Sequence, residues 1–266
     1  MNCDYKSIKK VLNMANSLRY FVGNWKMFGV PGSYKILDKI NQFYLKDQKN
    51  KKKYKIIMAP PDTLIHDFSK RFKNKKIIIS SQNCYHQDLF GPYTGKVSPF
   101  MIKRLGVNYT LLGHSECRSA GETDEIIKKK FSLALKNNLK VIYCIGENKI
   151  QKRTKSTAKV LKKQISKVIS KKNNFNNIII AYEPIWSIGS GSIPSPSELK
   201  KNIKILKNFI GKKFRIKSHP KFLYGGSVDK NTIKHFKSIK ELDGFLIGGA
   251  SKSSKNFIDI IKNFYK

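Results

Sequence analysis

No run of about 18 consecutive apolar residues occurs in this chain, so a membrane-spanning helix of ordinary length is not expected. Between Met1 and Arg19 there is no sustained apolar stretch followed by a small-residue cleavage site, so no signal peptide is expected either. Cysteine is sparse: Cys3, Cys84, Cys117 and Cys144 are scattered, and none stands in a CxxC pair. A zinc knuckle and a dithiol redox motif are thereby disfavoured, and a reducing cytoplasm is the expected setting. Linkers, low-complexity blocks, metal-ligand clusters and cofactor motifs are also missing. The expectation is one domain with no metal and no organic cofactor.

Negative charge is scarcer still. Asp and Glu number 17 against 54 Lys and Arg, which gives a formal charge of +37 over 266 residues. That balance raises the question of a nucleic-acid or anionic-membrane partner. Against it, Arg is scarce and the lysines run along the whole chain instead of gathering around aromatic platforms. Lys, Asn, Ile, Phe and Tyr are all abundant, and all have A/T-rich codons. Compositional drift in an A/T-rich genome is the preferred account, and a balanced genomic base composition would remove it. No specific nucleic-acid partner and no membrane are expected. A positive field would still steer anionic substrates.

What the chain does have is a recurring series of short apolar runs rich in Ile, Val, Phe and Tyr. Candidate strands are Tyr20–Gly23, Lys55–Ala59, Lys76–Ser80, Tyr109–Leu112, Val141–Ile145, Ile178–Ala181, Phe222–Tyr224 and Gly244–Ile247. Their near-continuous apolarity suits strands buried on both faces of a parallel sheet. Amphipathic segments lie between them. Residues 33–44 place Ile36, Leu37, Ile40, Phe43 and Tyr44 on one helical face. Ser195-Pro196-Ser197-Glu198 is a helix start with a Ser cap, Pro in the first turn and Glu three residues after the cap, and Leu199, Ile203, Leu206 and Ile210 follow as a stripe. Ser98-Pro99 opens another helix. Phe257, Ile258, Ile261 and Phe264 form a closing apolar face. Eight strands alternating with helices favour a closed (β/α)8 barrel over residues 19–266, with a doubly wound open sheet as the alternative. Residues 1–18 are expected to be an extension of unassigned role, with Met14 as an alternative start.

Barrel chemistry sits at the C-terminal ends of the strands. Asn24 and Lys26 follow the first candidate strand, His114 the fourth and Glu183 the sixth. Gly225-Gly226-Ser227 follows the seventh, and Gly248-Gly249 the eighth. Each has a plain reading alone. Asn24 is a turn residue, Lys26 one lysine among many, His114 a hydrogen-bonded structural histidine, Glu183 a surface carboxylate before Pro184, and the glycine pairs are tight turns. Agreement in position across five strands is harder to assign to chance. The Gly- and Ser-rich segment from Pro184 to about Pro194, which includes Ile185, Trp186, Ser187, Ile188, Gly189, Ser190 and Gly191, suits a flap over a base fixed at a strand end.

Taken in order, these segments resemble the triosephosphate isomerase family from about Arg19 to the C-terminus. The matching stretches are Gly23–Lys26, Gln82-Asn83, Tyr93-Thr94-Gly95, Leu112–Glu116, Cys144–Glu147, Tyr182–Gly189, Tyr224–Val228 and Asp243–Ala250. The resemblance implies interconversion of dihydroxyacetone phosphate and D-glyceraldehyde 3-phosphate through an enediolate, in glycolysis and gluconeogenesis. It implies Glu183 as the base, His114 as the electrophile on the substrate oxygens, Lys26 as a cation beside them and Asn24 as a substrate-positioning group. Such roles suit the reaction, because a C–H beside a carbonyl needs both a base and stabilisation of the developing oxyanion. Glu116 is read as an orienting partner of Lys26, or as a salt bridge that merely closes the fourth loop. Backbone N–H groups of Gly189, Ser227, Gly248 and Gly249 are expected to hold the phosphate. Ile188 on the flap and Leu246 match positions that clamp the base and desolvate its carboxylate.

Three positions depart from the family pattern: Phe28 stands for Asn, Cys117 for one of two arginines (Arg118 retains the other), and Ser192 for a frequent Lys. The first two bear on subunit contacts and stability. The resemblance also implies a homodimer, with Gln82–Lys96 as the loop that enters the partner and Thr94 as its intersubunit residue. Two other readings remain at this point: a barrel for a different sugar phosphate, and a polyanion-binding barrel driven by charge.

Overall fold

The apolar runs fold into eight parallel strands: β1 (Arg19–Asn24), β2 (Tyr54–Ala59), β3 (Ile77–Ser81), β4 (Tyr109–Leu112), β5 (Lys140–Ile145), β6 (Ile178–Tyr182), β7 (Lys221–Gly225) and β8 (Gly244–Ile247). Each pairs with the next in chain order and β8 returns to β1, so the sheet closes into a barrel and the open-sheet alternative falls. This computed structural model describes residues 18–266. The expectations for residues 1–17, including Met14, lie outside the described residues.

The helices that link the strands are α1 (Tyr34–Lys46), α2 (Asp62–Phe72), α3 (Pro99–Arg104), α4 (Ser115–Ser119), α5 (Asp124–Lys136), α6 (Lys149–Arg153), α7 (Thr157–Val168), α8 (Pro196–Phe214) and α9 (Ser254–Tyr265). In α1 the expected stripe is buried at Leu37 and Ile40 but only partly at Ile36, Phe43 and Tyr44. A one-turn 3-10 segment, Pro31–Ser33, precedes it and delays its start. The stripe of α8 is fully buried at Leu199, Ile203, Leu206 and Ile210. Its cap forms as expected, with Ser195 Oγ accepting from the Glu198 N–H at 3.1 Å. The helix starts where the signal puts it, and the Glu198 carboxylate goes to Lys152 instead of back to the cap. In α9 the buried face is Phe257, Ile260 and Ile261, while Ile258 and Phe264 are only partly covered. Among the described residues, no helix is long and apolar enough to cross a membrane.

The alternation of strand side chains decides what reaches the barrel mouth. Val22, Ile57, Ala59, Leu111, Ile142, Cys144, Ile179, Ala181, Leu223 and Leu246 point inward and form their own cluster. Phe21, Ile56, Tyr143, Ile180, Tyr182, Phe222 and Tyr224 point outward under the helices. Because the period is two, the inward row continues past the strand ends. Asn24 lies above Val22, Glu183 above Ala181, Gly146 above Cys144, Gly225 above Leu223, and Gly248 above Leu246. One parity rule on five strands therefore sends five sequence-distant positions to one rim.

Candidate active site

At the C-terminal mouth, Asn24, Lys26, His114, Glu183, Ile188, Gly189, Gly226, Leu246, Gly248 and Gly249 line one cavity of about 110 Å³. The expected groups are thus brought together, with Ser227 beside the cavity and not in its wall. Larger clefts of about 510 and 410 Å³ lie elsewhere on the surface and hold none of these residues.

Glu183 is 5 % exposed, and its Oε1 lies 3.7 Å from His114 Nε2. Its Oε2 is buried and has no hydrogen-bond partner among the described residues. A buried carboxylate oxygen without a donor is costly unless a ligand uses it. Cys144 packs against this carboxylate. Burial, and after it the Glu183 charge, pushes the Cys144 thiol well above its usual range, so it stays protonated. Gly225 provides the room. A methyl group at Gly225 would stand 2.5 Å from Glu183 Cγ and 2.8 Å from Oε1. This glycine is required by close approach, and the turn reading given to it from sequence missed that.

His114 is the N-cap of α4, and its Nδ1 accepts from the Glu116 N–H at 3.3 Å. An Nδ1 that accepts cannot carry a proton, so the neutral ring bears it on Nε2, the nitrogen that faces Glu183. The Glu116 carboxylate also approaches Nδ1, at 3.7 Å, but the shorter backbone contact sets the tautomer.

Lys26 adopts a left-handed backbone, φ 56°, which a lysine tolerates only when the surroundings impose it. Asn24 Oδ1 accepts from the Lys26 N–H at 3.0 Å, and Gln82 Nε2 donates to the Lys26 carbonyl at 2.9 Å and to the Ala59 carbonyl at 2.8 Å. The turn reading of Asn24 and its place in the cavity wall therefore both hold. Gln82 belongs to a segment that resembles the family, but its role as the brace of this loop comes only from the fold. Lys26 Nζ lies 2.6 Å from Glu116 Oε1. Partial burial is the largest single influence on Glu116 and opposes its charge, yet the Lys26 ammonium prevails and holds the carboxyl below its usual range.

The residues expected to hold an anion present backbone groups. Gly189 has φ 69°, and Gly249 opens a 3-10 turn (Gly249–Lys252) whose first N–H groups the turn itself does not use. Ser227 has its hydroxyl engaged with the lid. It accepts from the Gly191 N–H at 3.0 Å and donates to the Ser187 carbonyl at 2.7 Å. Ser187 Oγ in turn meets Tyr224 OH at 2.8 Å. The segment Pro184–Pro194 thus lies docked over the mouth, with Ile188 and Leu246 among the residues around Glu183.

At the root of the lid, Trp186 Nε1 donates to Glu147 Oε1 at 2.9 Å and Tyr182 OH donates to the same oxygen at 3.2 Å. Glu147 is fully buried, and desolvation, opposed by these bonds, raises its pKa above the usual carboxylate value. Sequence reading placed it in a motif without a role. A carboxyl whose pKa is raised by folding lowers stability as pH climbs from its unfolded to its folded pKa, after which the penalty is constant. Glu147→Gln keeps an acceptor for Trp186 and removes the buried charge. Its Tm is therefore expected to gain on the natural chain as pH rises from about 4 to 8. Thermal melts across that range check this, and a constant difference would refute it.

The departures from the family pattern are absorbed locally. Phe28 packs edge-on against Trp25 at 5.6 Å. Cys117 accepts a weak contact from Asn83 Nδ2 at 3.6 Å, while Glu122 stays paired with Lys130. Ser192 closes the lid's own turn through its carbonyl, which accepts from Ser187 Oγ at 2.6 Å.

A family model described as triosephosphate isomerase matches residues 19–264. The triosephosphate isomerase of Buchnera aphidicola subsp. Cinara cedri is 40 % identical over 91 % of this chain and 96 % of its own. That of Debaryomyces hansenii is 37 % identical over 92 % and 98 %. The crystal structure of triosephosphate isomerase from Bartonella henselae superposes with a TM-score of 0.83 at 28 % identity, covering 93 % of this chain and 99 % of that one. With the closed barrel and the converging residues on one rim, these matches establish that the chain belongs to the triosephosphate isomerase family.

Proposed function

We propose that Glu183 is the base of the family's reaction, the interconversion of dihydroxyacetone phosphate and D-glyceraldehyde 3-phosphate, which is the activity of this chain. Glu183 takes a proton from the carbon beside the carbonyl and returns it to the neighbouring carbon. The electron pair of the broken C–H bond moves into the C–C bond, and the carbonyl oxygen becomes the enediolate oxygen. His114 Nε2–H donates to that oxygen and its neighbour, and the Lys26 ammonium offsets the charge that develops. Asn24 keeps Lys26 in its strained turn, and Glu116 keeps its ammonium directed. Backbone N–H groups of Gly189, Ser227, Gly248 and Gly249 receive the phosphate. The single observation that carries this reading is the buried Glu183 Oε2, unpartnered among the described residues, at a cavity shared with His114 and Lys26.

A coupled assay with each triose phosphate, on the natural chain and on His114→Gln, tests it. Turnover in both directions is expected, with kcat lost in the variant. A barrel for another sugar phosphate would turn over neither triose. A polyanion-binding barrel would instead show a steep salt dependence of binding to generic polyanions.

The chain is also proposed to work as a cytoplasmic homodimer. The loop between β3 and α3 and the loop after β1 expose Met27 (97 %), Phe90 (77 %), Val30, Leu89 and Tyr93, an apolar set unusual on a monomer surface. Thr94 lies exposed on the same loop. Sedimentation is expected to give a dimer for the natural chain and a monomer of reduced kcat for Phe90→Lys. A fully active monomer of the natural chain would remove the proposal.

A further inference from the structure

The root of the lid is held on two sides by one short stretch of chain. Glu147 takes the edge of the Trp186 ring through Nε1, and Lys152, five residues later on α6, sits over its face with Nζ 3.8 Å from the ring centroid. The helix that carries Lys152 is fixed by a reciprocal cap, with Gln151 N–H bonded to Asn148 Oδ1 at 2.8 Å and Asn148 N–H bonded to Gln151 Oε1 at 2.9 Å. Lys152 Nζ also meets both carboxylate oxygens of Glu198, at 2.8 and 3.0 Å. Glu198 stands in the first turn of α8, the helix into which the far end of the lid runs. One turn on, Asn202 Nδ2 donates to Tyr182 OH at 3.2 Å, and Tyr182 itself bonds Glu147. A single ammonium therefore touches the ring at the start of the lid and the helix turn at its end.

We propose that Lys152 is a positioning residue that clamps Trp186 and ties the two hinges of the lid together. The proposal rests on the lid-covered reaction described above. Lifting the lid would require the Trp186 ring to leave its bond to Glu147, and Lys152 opposes that release through its attraction to the ring face, which is strengthened by partial desolvation. Its ion pair with Glu198 is partly exposed and adds little stability alone. The importance of the pair is geometric, because it holds the ammonium over the ring and makes release of one hinge weaken the other. Nothing in Lys152 touches the reacting atoms, so its effect must be read in the docked population of the lid.

The test uses the full chain carrying 5-fluorotryptophan, whose two 19F resonances come from Trp25 and Trp186. Trp25 is fully buried and donates to the Ser251 carbonyl at 2.9 Å, so it serves as the internal reference. Lys152→Met keeps most of the apolar stem and loses the charge. It is expected to shift the Trp186 resonance alone. It should also raise the fraction of triose phosphate lost as methylglyoxal and inorganic phosphate by roughly three- to tenfold, with Lys152→Arg restoring both readouts. An unmoved Trp186 resonance with an unchanged by-product fraction overturns the proposal. Equal movement of both resonances, which marks general loosening, overturns it as well. If the natural chain does not isomerise triose phosphates yet Trp186 alone responds to Lys152→Met, the catalytic reading fails and the clamp stands.

Discussion

Glu183→Asp is expected to lower kcat by about a hundredfold while the apparent affinity for triose phosphate changes little. Removing one methylene withdraws the carboxylate from its place above Ala181. The phosphate contacts proposed for Gly189, Gly248 and Gly249 are left alone. Proton transfer requires the base within hydrogen-bond reach of the C–H, so a displacement on the order of 1 Å falls mainly on the chemical step. The surroundings make the loss hard to recover. Gly225 has no side chain to fill the space left beside Glu183, and Cys144 already packs against the carboxylate, so the shortened side chain has no element that moves in behind it. Steady-state kinetics in both directions, with solvent-deuterium incorporation into recovered substrate, separates the two parameters. Equal turnover in the variant would remove Glu183 from the role of base.

Some of this site was legible in the sequence and some was not, for a definite physical reason. Asn24, Glu183 and Gly248 could be placed because each directly follows an apolar run at the C-terminal end of a strand, and Lys26 because it continues the same short segment. His114 could be placed by its position at a strand end, though its tautomer depends on the Glu116 N–H, which only the first turn of α4 provides. Gln82, Glu147 and Gly225 act through partners that lie 23 and 56 residues away for Gln82, 35 and 39 for Glu147, and just past the end of the neighbouring strand β6 for Gly225. Local composition around them states none of those contacts. Their segments were recognisable, but the reason for each residue was not. The same limit applied to Glu198, whose spacing from Ser195 fits a capping box while its carboxylate reaches Lys152 on another helix. The helices α2, α5 and α7 carry amphipathic patterns, but these are fainter in the sequence than the strand runs and the proline starts. The extreme positive charge reaches the barrel's inward row only at its lower end, where Lys55, Lys140 and Lys221 stand two residues before Ile57, Ile142 and Leu223; the cluster above them is apolar. Acidic residues, though scarce, hold specific posts: Glu116 on Lys26, Glu122 on Lys130, and Glu147 under the lid.

Deleting the lid tip, Ile188 to Gly191, is expected to cut isomerisation on the order of a thousandfold and to make methylglyoxal a major product. The deletion removes Ile188 and Gly189 from the cavity wall and abolishes the bond from the Gly191 N–H to Ser227 Oγ. Glu183, His114 and Lys26 stay on their strand ends, so proton abstraction still forms some enediolate. Without the lid, the phosphate loses the contact proposed for Gly189 and the intermediate meets water. The enediolate electron pair can then expel phosphate: the C–O bond breaks, inorganic phosphate leaves with the bonding electrons, and the remaining enol takes a proton and rearranges to methylglyoxal. No oxidant or cofactor is needed, so the by-product must appear in equal amount with inorganic phosphate. Trapping methylglyoxal with a diamine while assaying phosphate checks that stoichiometry. If the deletion slows isomerisation without added by-product, the lid's contribution is confined to holding the substrate, because an exposed enediolate would have had to lose phosphate. If by-product rises while Glu183→Asp shows none, the base and the lid act on separate steps, as their positions beneath and above the cavity require.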